Sequence, residues 1–202
     1  VVEELSRVDP SLGVMIAVHV GLCSMTIALS GNEEQKEKYL PKLASGEFLG
    51  AYSLSEAGSG TDAAAMVARA TDNGEHYTLN GEKMWVTNGT TADIFVLFAK
   101  VTNHPDYGKK SHGGVTCFII EKGFEGFEIG KKEDKLGIRS SDTCTLILNE
   151  CKVPKANVLG DVGKGFPIAM NALDNSRIGI AAQGLGIAPV SYTHLRAHET
   201  NV

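Results

Sequence analysis

Hydroxyl groups and glycines cluster in residues 52–62, which makes this segment suited to holding a polar ligand. It reads Tyr-Ser-Leu-Ser-Glu-Ala-Gly-Ser-Gly-Thr-Asp, so the chain leaves a strand-like run and enters a loop of small residues. Backbone N–H groups and hydroxyls in such a loop bind phosphate groups or the polar edge of a ring. An ordinary surface turn has a similar composition, so the segment alone leaves both interpretations open.

The only tryptophan of the chain, Trp85, lies in a second segment of interest, residues 80–89. An Asn-Gly pair stands at each end of this segment, and such pairs are typical of tight turns. A single Trp in a strand usually belongs to the core. Because side chains alternate along a strand, however, Trp85 and Thr87 face one side and Val86 faces the other. A flat ligand is therefore able to pack on the indole and hydrogen-bond to the hydroxyl.

Three other sequence patterns are weaker indications of a functional site. Residues 135–143 form a basic, Gly-containing loop, which is more often a solvated turn than a site. His194 and His198 are four residues apart, but Glu199 does not follow the first His as zinc proteases require, so we predict no metal site. The four cysteines include no Cys-x-x-Cys pair, which predicts reduced, structural thiols and fits a reducing compartment.

Composition indicates a soluble globular protein without nucleic-acid partners. The 202 residues are 43% hydrophobic and 21% charged, with a net charge of −5 and no basic stripe interleaved with aromatics. Residues 12–29 carry no charge and are nearly long enough to span a bilayer. Polar residues interrupt this run and no positive charges flank it, so we predict a buried core helix and no membrane association.

The chain changes character twice, which predicts an α+β fold. Residues 1–48 are expected to be helical, with Asn32 as an N-cap and Gly46 as a stop. Strand-like periods follow through 49–158, and helix returns in 159–188. The expected strands are short and separated by turn signals, which favours an antiparallel barrel or sandwich over a βαβ sheet. They lie at 50–55, 66–71, 77–79, 83–87, 94–101, 115–120 and 143–148.

Both ends of the sequence are unusual. The chain begins with Val-Val-Glu-Glu, which already reads as helix, so we expect residues to be missing before it. Residues 189–202 resemble the translation of a transposase sequencing adapter, and we treat them as a non-native tail outside the fold.

The segments 52–62, 80–89 and 135–143, in this order and at these distances, resemble the acyl-CoA dehydrogenase family. The resemblance covers residues 1–188 and is closest to the short-chain, butyryl-type members. It implies an N-terminal helical domain, a β-domain and the start of a C-terminal helical domain around FAD and an acyl-CoA thioester. It also implies a homotetramer that passes electrons to an electron-transferring flavoprotein.

The same resemblance implies roles for individual residues. The residues expected to contact FAD are Tyr52, Leu54, Ser55, Gly60, Thr61, Trp85, Val86 and Thr87. The residues expected to contact acyl-CoA are Thr61, Asp174, Asn175, Ser176 and Arg177. Two positions depart from the family pattern, since Ala57 stands where Pro is common and Ser53 where Gly, Ala or Cys is usual. The loop is therefore less rigid than in a typical member.

The implied reaction is α,β-dehydrogenation of an acyl-CoA to a trans-2-enoyl-CoA, with a Glu as the base. One branch of the family carries this Glu directly before the Arg of the acyl-CoA segment, where this chain has Ser176. We therefore expect the base downstream of the sequence and the chain alone to be inert. A non-catalytic flavin- or acyl-CoA-binding module and a β-sandwich interaction domain are the alternatives. The expected location is the bacterial cytoplasm, or the mitochondrial matrix for a eukaryotic source.

Overall fold

A computed structural model describes residues 1–199, and helices occupy both ends of this range. A π-helix at Ala17–Ser24 interrupts the N-terminal helices. The α-helices are α1 (Val2–Val8), α2 (Pro10–Ile16), α3 (Met25–Ser30), α4 (Glu33–Ser45) and α5 (Gly165–Ala197). Short 3₁₀ turns lie at Ala63–Ala65 and Lys155–Asn157.

Local sequence signals set the ends of α4. The Asn32 side chain accepts a hydrogen bond from the Gln35 N–H at 2.8 Å, and the Gln35 side chain accepts one from the Asn32 N–H at 3.1 Å. This reciprocal capping box satisfies two backbone donors that the helix start would otherwise leave unpaired. Gly46 ends the helix with a φ of 78°, a conformation that glycine adopts without strain. Both predicted helix boundaries are confirmed.

Eight strands form one sheet in the middle of the chain. The strands are β1 (Gly50–Ser53), β2 (Arg69–Asp72), β3 (His76–Thr87), β4 (Ile94–Val101), β5 (Val115–Glu121), β6 (Phe127–Lys132), β7 (Thr143–Pro154) and β8 (Val158–Leu159). Their order is β6-β7-β3-β2-β4-β5-β8, and β1 also pairs with β4. The combination of terminal helices and a central sheet confirms the predicted α+β class.

The sheet is mainly antiparallel, as predicted, but two pairings differ from the prediction, because β1 and β2 both run parallel to β4. β1 pairs with the start of β4, where Ser53 is opposite Leu97. β2 pairs with its end, where Arg69 is opposite Lys100. The two strands thus pair with successive parts of the same side of β4, and between them the chain leaves the sheet as a loop, residues 54–68.

β3 is one continuous strand, so the predicted separate strands at 77–79 and 83–87 are wrong. Asn80-Gly81 does not form a hairpin turn but a bulge in the pairing with β7. Gly81 has a φ of 140°, and an added Cβ would lie 2.9 Å from the backbone of Ala68, so glycine is needed there. The interpretation of Asn80-Gly81 as a turn between two strands is therefore wrong.

Strands β6 and β8 were not predicted, and β7 extends well beyond its predicted end at residue 148. β6 lies at one end of the sheet order and carries Glu128, Lys131 and Lys132 on its exposed positions. Charged residues are common on edge strands because they prevent further strand pairing. They also hide the strand from a search based on hydrophobic periodicity.

Alternation along β4 divides the buried residues between two cores. Phe95, Leu97 and Ala99 face a core enclosed by the sheet, whereas Val96 and Phe98 face a core shared with the helices. In the enclosed core, the Phe95 ring of β4 meets the Phe127 ring of β6 at 4.8 Å between centroids. Strands distant in the sheet order therefore meet face to face, as the predicted barrel or sandwich requires.

The helical parts pack on the outer side of β1, β4 and β5. Val18, Cys23 and Ile27 join the core shared with the helices, but only 33% of the most apolar stretch of this run is buried, less than predicted for a core helix. The run Pro10–Ser30 has a mean hydropathy of 2.1 and is long and apolar enough to cross a membrane by length and composition alone. Outside that core, Val20 and Leu29 are exposed.

Helix α5 extends beyond its predicted end at residue 188 and passes through Pro189 to Ala197. The run 189–199, which the sequence placed outside the fold, is therefore mostly helical, and residues 200–202 lie outside the described residues. Ile178 and Leu185 of α5 are exposed, in line with the apolar face expected for this helix. The domain boundaries drawn from the sequence stay predictions.

All four cysteines are buried and unpaired, which confirms the predicted reduced thiols. Burial raises the thiol pKa of Cys144 and of Cys151 to about 11. These groups are therefore protonated and unreactive at neutral pH.

Candidate functional site

A small cleft of about 180 Å³ opens where the sheet meets the helices. The ends of β1 and β3 form two of its walls, and the π-helix and α5 form the others. The lining residues are Val18, Leu22, Tyr52, Leu54, Ser55, Met84, Trp85, Thr87 and Leu173. The cleft thus joins the two segments that the sequence singled out, although they are about thirty residues apart in the chain.

Five of the eight residues predicted to contact FAD line this cleft, namely Tyr52, Leu54, Ser55, Trp85 and Thr87. The other three do not. Val86 is 1% exposed and faces the core enclosed by the sheet, as the alternation predicted. Gly60 and Thr61 are exposed in the 54–68 loop, and an added Cβ at Gly60 would meet no atom within 4 Å.

A bulge in β3 turns Trp85 toward the cleft. The pairing with β7 shifts register between Lys83 and Val86, and Trp85 adopts a positive φ of 55°. Without this shift, Trp85 would share the inward side of Lys83, two residues earlier. The indole is instead 60% exposed, so the interpretation of Trp85 as a core residue is wrong. A positive φ at a bulky residue is rare and often marks a functional site.

An ion pair that the sequence did not reveal holds the loop against β3. Lys83 Nζ lies 2.7 Å from Glu56 Oε1, with the two side chains 0% and 4% exposed. Lys83 also donates a hydrogen bond to the Leu54 carbonyl at 3.0 Å. The Glu56 carboxylate accepts further hydrogen bonds from the Val67 N–H at 2.6 Å and the Ala68 N–H at 3.1 Å. Glu56 therefore joins the start of the loop to its end.

Burial and charge act in opposite directions on Lys83. Burial lowers the pKa of its ammonium group, while the charge and hydrogen bond of Glu56 oppose that fall. Twenty-seven positions separate the two residues, and no motif spacing indicates such a pair. The one sequence signal for a buried ion pair was a lysine on the inward side of a strand. This signal is visible only if β3 is known to be one continuous strand.

The turn after Thr87 is fixed by Asp142, which is 6% exposed. Its Oδ2 accepts hydrogen bonds from the Thr90 N–H and hydroxyl, both at 2.6 Å, and its Oδ1 accepts one from the Thr91 hydroxyl at 3.3 Å. The Asn88 N–H donates to the Asp142 carbonyl at 3.2 Å. The end of the 135–143 segment is therefore buried and holds the turn after Thr87 by hydrogen bonds. It is not the solvated turn that its composition predicted.

Asn88 and His19 join the helices to the sheet beside the cleft. The Asn88 amide donates hydrogen bonds to the carbonyls of Met15 and Gly50, both at 3.1 Å. His19 Nδ1 accepts from the Gly50 N–H at 3.0 Å, while Nε2 lies 3.0 Å from the Leu43 carbonyl and must be the protonated nitrogen. The π-helix that carries His19 also places Val18 and Leu22 in the cleft wall.

The four residues predicted to contact acyl-CoA on α5 follow Leu173 and do not line the cleft. Asp174 and Arg177 form an exposed ion pair at 3.2 Å, and Asn175 is also exposed. The Ser176 hydroxyl donates to the Leu173 carbonyl at 2.9 Å. Within the described range 1–199, no carboxylate lines the cleft.

A second, wider cleft of about 700 Å³ lies beside the end of the 54–68 loop. Four of its lining side chains are positively charged, namely Arg69, Lys100, Lys109 and Lys110. Such a lining favours an anionic ligand.

Two family models match the chain. The model for the acyl-CoA dehydrogenase middle domain matches residues 51–151, and the model for the N-terminal domain of the same family matches residues 1–47. Together these matches include both cleft-lining segments of the sheet.

Curated relatives come from bacteria and from mitochondria. A short-chain-specific acyl-CoA dehydrogenase of Clostridium acetobutylicum is 50% identical over 197 residues, which are 98% of this chain and 51% of that protein. A mitochondrial isovaleryl-CoA dehydrogenase of Pongo abelii is 44% identical over 97% of this chain and 47% of its own length. The chain thus spans about half the length of these relatives.

Solved structures agree with these relatives. Butyryl-CoA dehydrogenase from Megasphaera elsdenii superposes with a TM-score of 0.88 at 48% identity, covering 93% of this chain and 48% of its own. A chain from a study of the electron transferring flavoprotein of Acidaminococcus fermentans gives the same four values. A Bacillus anthracis acyl-CoA dehydrogenase complexed with FAD has a TM-score of 0.85 at 43% identity, covering 93% and 31% of the two chains. The chain belongs to the acyl-CoA dehydrogenase family.

Proposed function

We propose that the cleft binds the ring system of FAD and that the chain serves FAD-dependent α,β-dehydrogenation of an acyl-CoA to a trans-2-enoyl-CoA. The observation that carries this proposal is the meeting of Ser55 and Trp85 in one cleft from segments about thirty residues apart. A similar structure, the Bacillus anthracis acyl-CoA dehydrogenase, is described as complexed with FAD.

The chemistry of the lining fits a flavin ring. The Trp85 indole supplies an aromatic face, and Leu22 and Leu54 supply apolar surface. Ser55 and Thr87 also line the cleft, and their hydroxyls are proposed to hydrogen-bond to the polar atoms at the ring edge. A volume of about 180 Å³ is below the range of a complete ligand pocket, roughly 300–1,000 Å³, so the lining contacts only part of the cofactor.

FAD, when bound, supplies the acceptor for the hydride that leaves the substrate. The residues of the chain are proposed to hold the cofactor and to orient it. With the flavin bound, the Thr87 hydroxyl would donate a hydrogen bond to the ring and would favour negative charge there. Trp85, which lines the cleft, is proposed to cover one side of the bound ring and to shield it from water. Gly60 and Thr61 are proposed to approach the FAD pyrophosphate, and Thr61 also the acyl-CoA.

The substrate is proposed to lie between the loop and α5. Asp174, Asn175 and Arg177 present exposed polar groups next to Leu173 of the cleft wall, and Ser176 among them is half-buried. The basic cleft with Arg69 and Lys100 suits the phosphates of a coenzyme A group, since a positive lining attracts anions.

The proton acceptor is proposed to come from outside the described residues. Within 1–199 no carboxylate lines the cleft, and Ser176 occupies the position before Arg177. We infer that the 202-residue chain does not turn over acyl-CoA by itself. The same observation favours a second candidate function, a non-catalytic module that binds flavin or acyl-CoA. Reduction of a dye acceptor by the chain with FAD and butyryl-CoA would contradict both statements.

Electron-transferring flavoprotein is the proposed acceptor, and a homotetramer is the proposed assembly. A study of an electron transferring flavoprotein includes a chain similar to this one, which supports the first of these proposals. Because the relatives are bacterial and mitochondrial, we propose the bacterial cytoplasm as the location, with the mitochondrial matrix for a eukaryotic source.

Titration of the chain with FAD tests the proposal. Binding is expected to shift the visible absorption of the flavin and to quench its fluorescence. Thr87→Ala is expected to weaken binding about fivefold, the loss of one hydrogen bond of roughly 1 kcal/mol. Thr71→Ala is the matched control, since Thr71 is exposed on β2 and does not line the cleft. Equal affinities in both variants would refute a flavin site at this cleft.

A further inference from the structure

A contribution to stability does not explain why the Lys83–Glu56 ion pair is buried. Its side chains are 0% and 4% exposed, and their charged atoms are 2.7 Å apart. Taking both charges out of water is costly, and a well-packed apolar pair often gives equal or greater stability. Buried pairs of this kind are best explained when they select one arrangement of the chain over others.

The hydrogen bonds of the pair lie next to residues of the cleft wall. Lys83 donates to the Leu54 carbonyl, and Leu54 itself lines the cleft. One residue after Lys83, the Met84 N–H donates to the Ser55 carbonyl at 2.9 Å. The two segments are thus joined at consecutive residues, at the start of the bulge that turns Trp85 outward.

Glu56 holds the other end of the same loop. Its two carboxylate oxygens accept hydrogen bonds from the N–H groups of Val67 and Ala68, which directly precede strand β2. The loop 54–68 is therefore closed on itself by one side chain, and that side chain is fixed to β3 by Lys83. A loop closed in this way has few alternative positions.

We propose that Lys83 and Glu56 are positioning residues that set the spacing between the loop wall and the Trp85 wall to fit the flavin ring. This inference rests on the proposed function of the cleft. Neither side chain lines the cleft, so both act through Leu54, Ser55 and Trp85. A change at Lys83 releases the Leu54 carbonyl and leaves the Glu56 charge buried without its partner.

The test compares Lys83→Met with Lys152→Met in FAD titrations of the 202-residue chain. Lys152 also pairs with a glutamate, Glu125, at 2.9 Å, but that pair is exposed and far from the cleft lining. K83M is expected to weaken FAD binding about tenfold and to change the visible circular dichroism of the bound flavin. K152M is expected to change neither. Identical affinity and flavin spectrum in K83M and the unaltered chain would overturn the proposal.

The neutral double variant K83M/E56Q is a second test, used in case K83M does not fold. It removes both charges, so no unpaired buried charge remains, and it is expected to fold and still to bind FAD about tenfold more weakly. Far-UV circular dichroism reports folding in every sample. If both variants fail to fold, the pair determines the fold and the positioning role is refuted.

The outcomes separate the two proposals. If the unaltered chain binds FAD and Thr87→Ala weakens it while K83M does not, only the positioning role fails. If the unaltered chain does not bind FAD, the flavin site and the positioning role fail together.

Discussion

Replacing Asp142 with Ala is expected to destabilise the chain by about 2–4 kcal/mol, because the carboxylate accepts three hydrogen bonds from the turn that follows Thr87. Hydrogen bonds to a charged group contribute roughly 1.5–3 kcal/mol each. Thr90 is half-buried and Thr91 is exposed, so water replaces part of what is lost and the full sum is not reached. Asp142→Asn retains one acceptor oxygen and is expected to lose about half as much.

Urea unfolding followed by far-UV circular dichroism measures the effect. Asp134→Ala is the control, because Asp134 belongs to the same loop and pairs with Arg139 at 2.9 Å with its side chain 87% exposed. An exposed pair contributes less than about 1 kcal/mol. Asp142→Ala is also expected to weaken FAD binding, since the turn places Thr87. A loss of stability no larger than that of D134A would show that the turn does not depend on Asp142.

Three further predictions concern other parts of the molecule. Because burial raises the thiol pKa of Cys144 and Cys151 to about 11, a thiol reagent at pH 8 is expected to label neither in the folded chain and both in urea. The hydrogen bond from Lys155 lowers the pKa of the Asp72 carboxyl group. The pair therefore stabilises the fold above the usual carboxyl pKa of 3.8, and this contribution is lost as the pH falls below that value. Asp72→Asn is expected to make stability less dependent on pH in that acid range. Arg69→Glu should weaken coenzyme A binding in calorimetry roughly fivefold at low salt, and the difference should shrink at high salt.

Elements with strong periodicity or capping were predictable from the sequence. Strand β4 was placed at its observed bounds because its run of apolar residues is continuous, as expected for a strand buried on both faces. Helix α4 was placed by Asn32 and Gly46, which act through local hydrogen bonds and backbone conformation. These signals depend on neighbouring residues, so tertiary structure does not alter them.

The site geometry depended on features that no local pattern encodes. Alternation correctly separated Val86 from Trp85 and Thr87, but it does not say which side faces the core. That choice is made by the bulge between Lys83 and Val86, which arises from the pairing with β7. Asp142 was hidden for a similar reason, since its partners Thr90 and Thr91 are about fifty residues away.

Two departures from a regular sheet therefore create the cleft. The pairing along one side of β4 is interrupted by the loop 54–68, which separates β1 from β2, and β3 carries a bulge at Trp85. Each departure leaves backbone groups unpaired within a buried region, which is costly unless other groups satisfy them. Lys83 and Glu56 satisfy three of these groups in the loop, the Leu54 carbonyl among them. The buried charges and the open cleft are thus consequences of the same interruption of the sheet, and a neutral pair at these positions would have to supply the same hydrogen bonds to keep the cleft open.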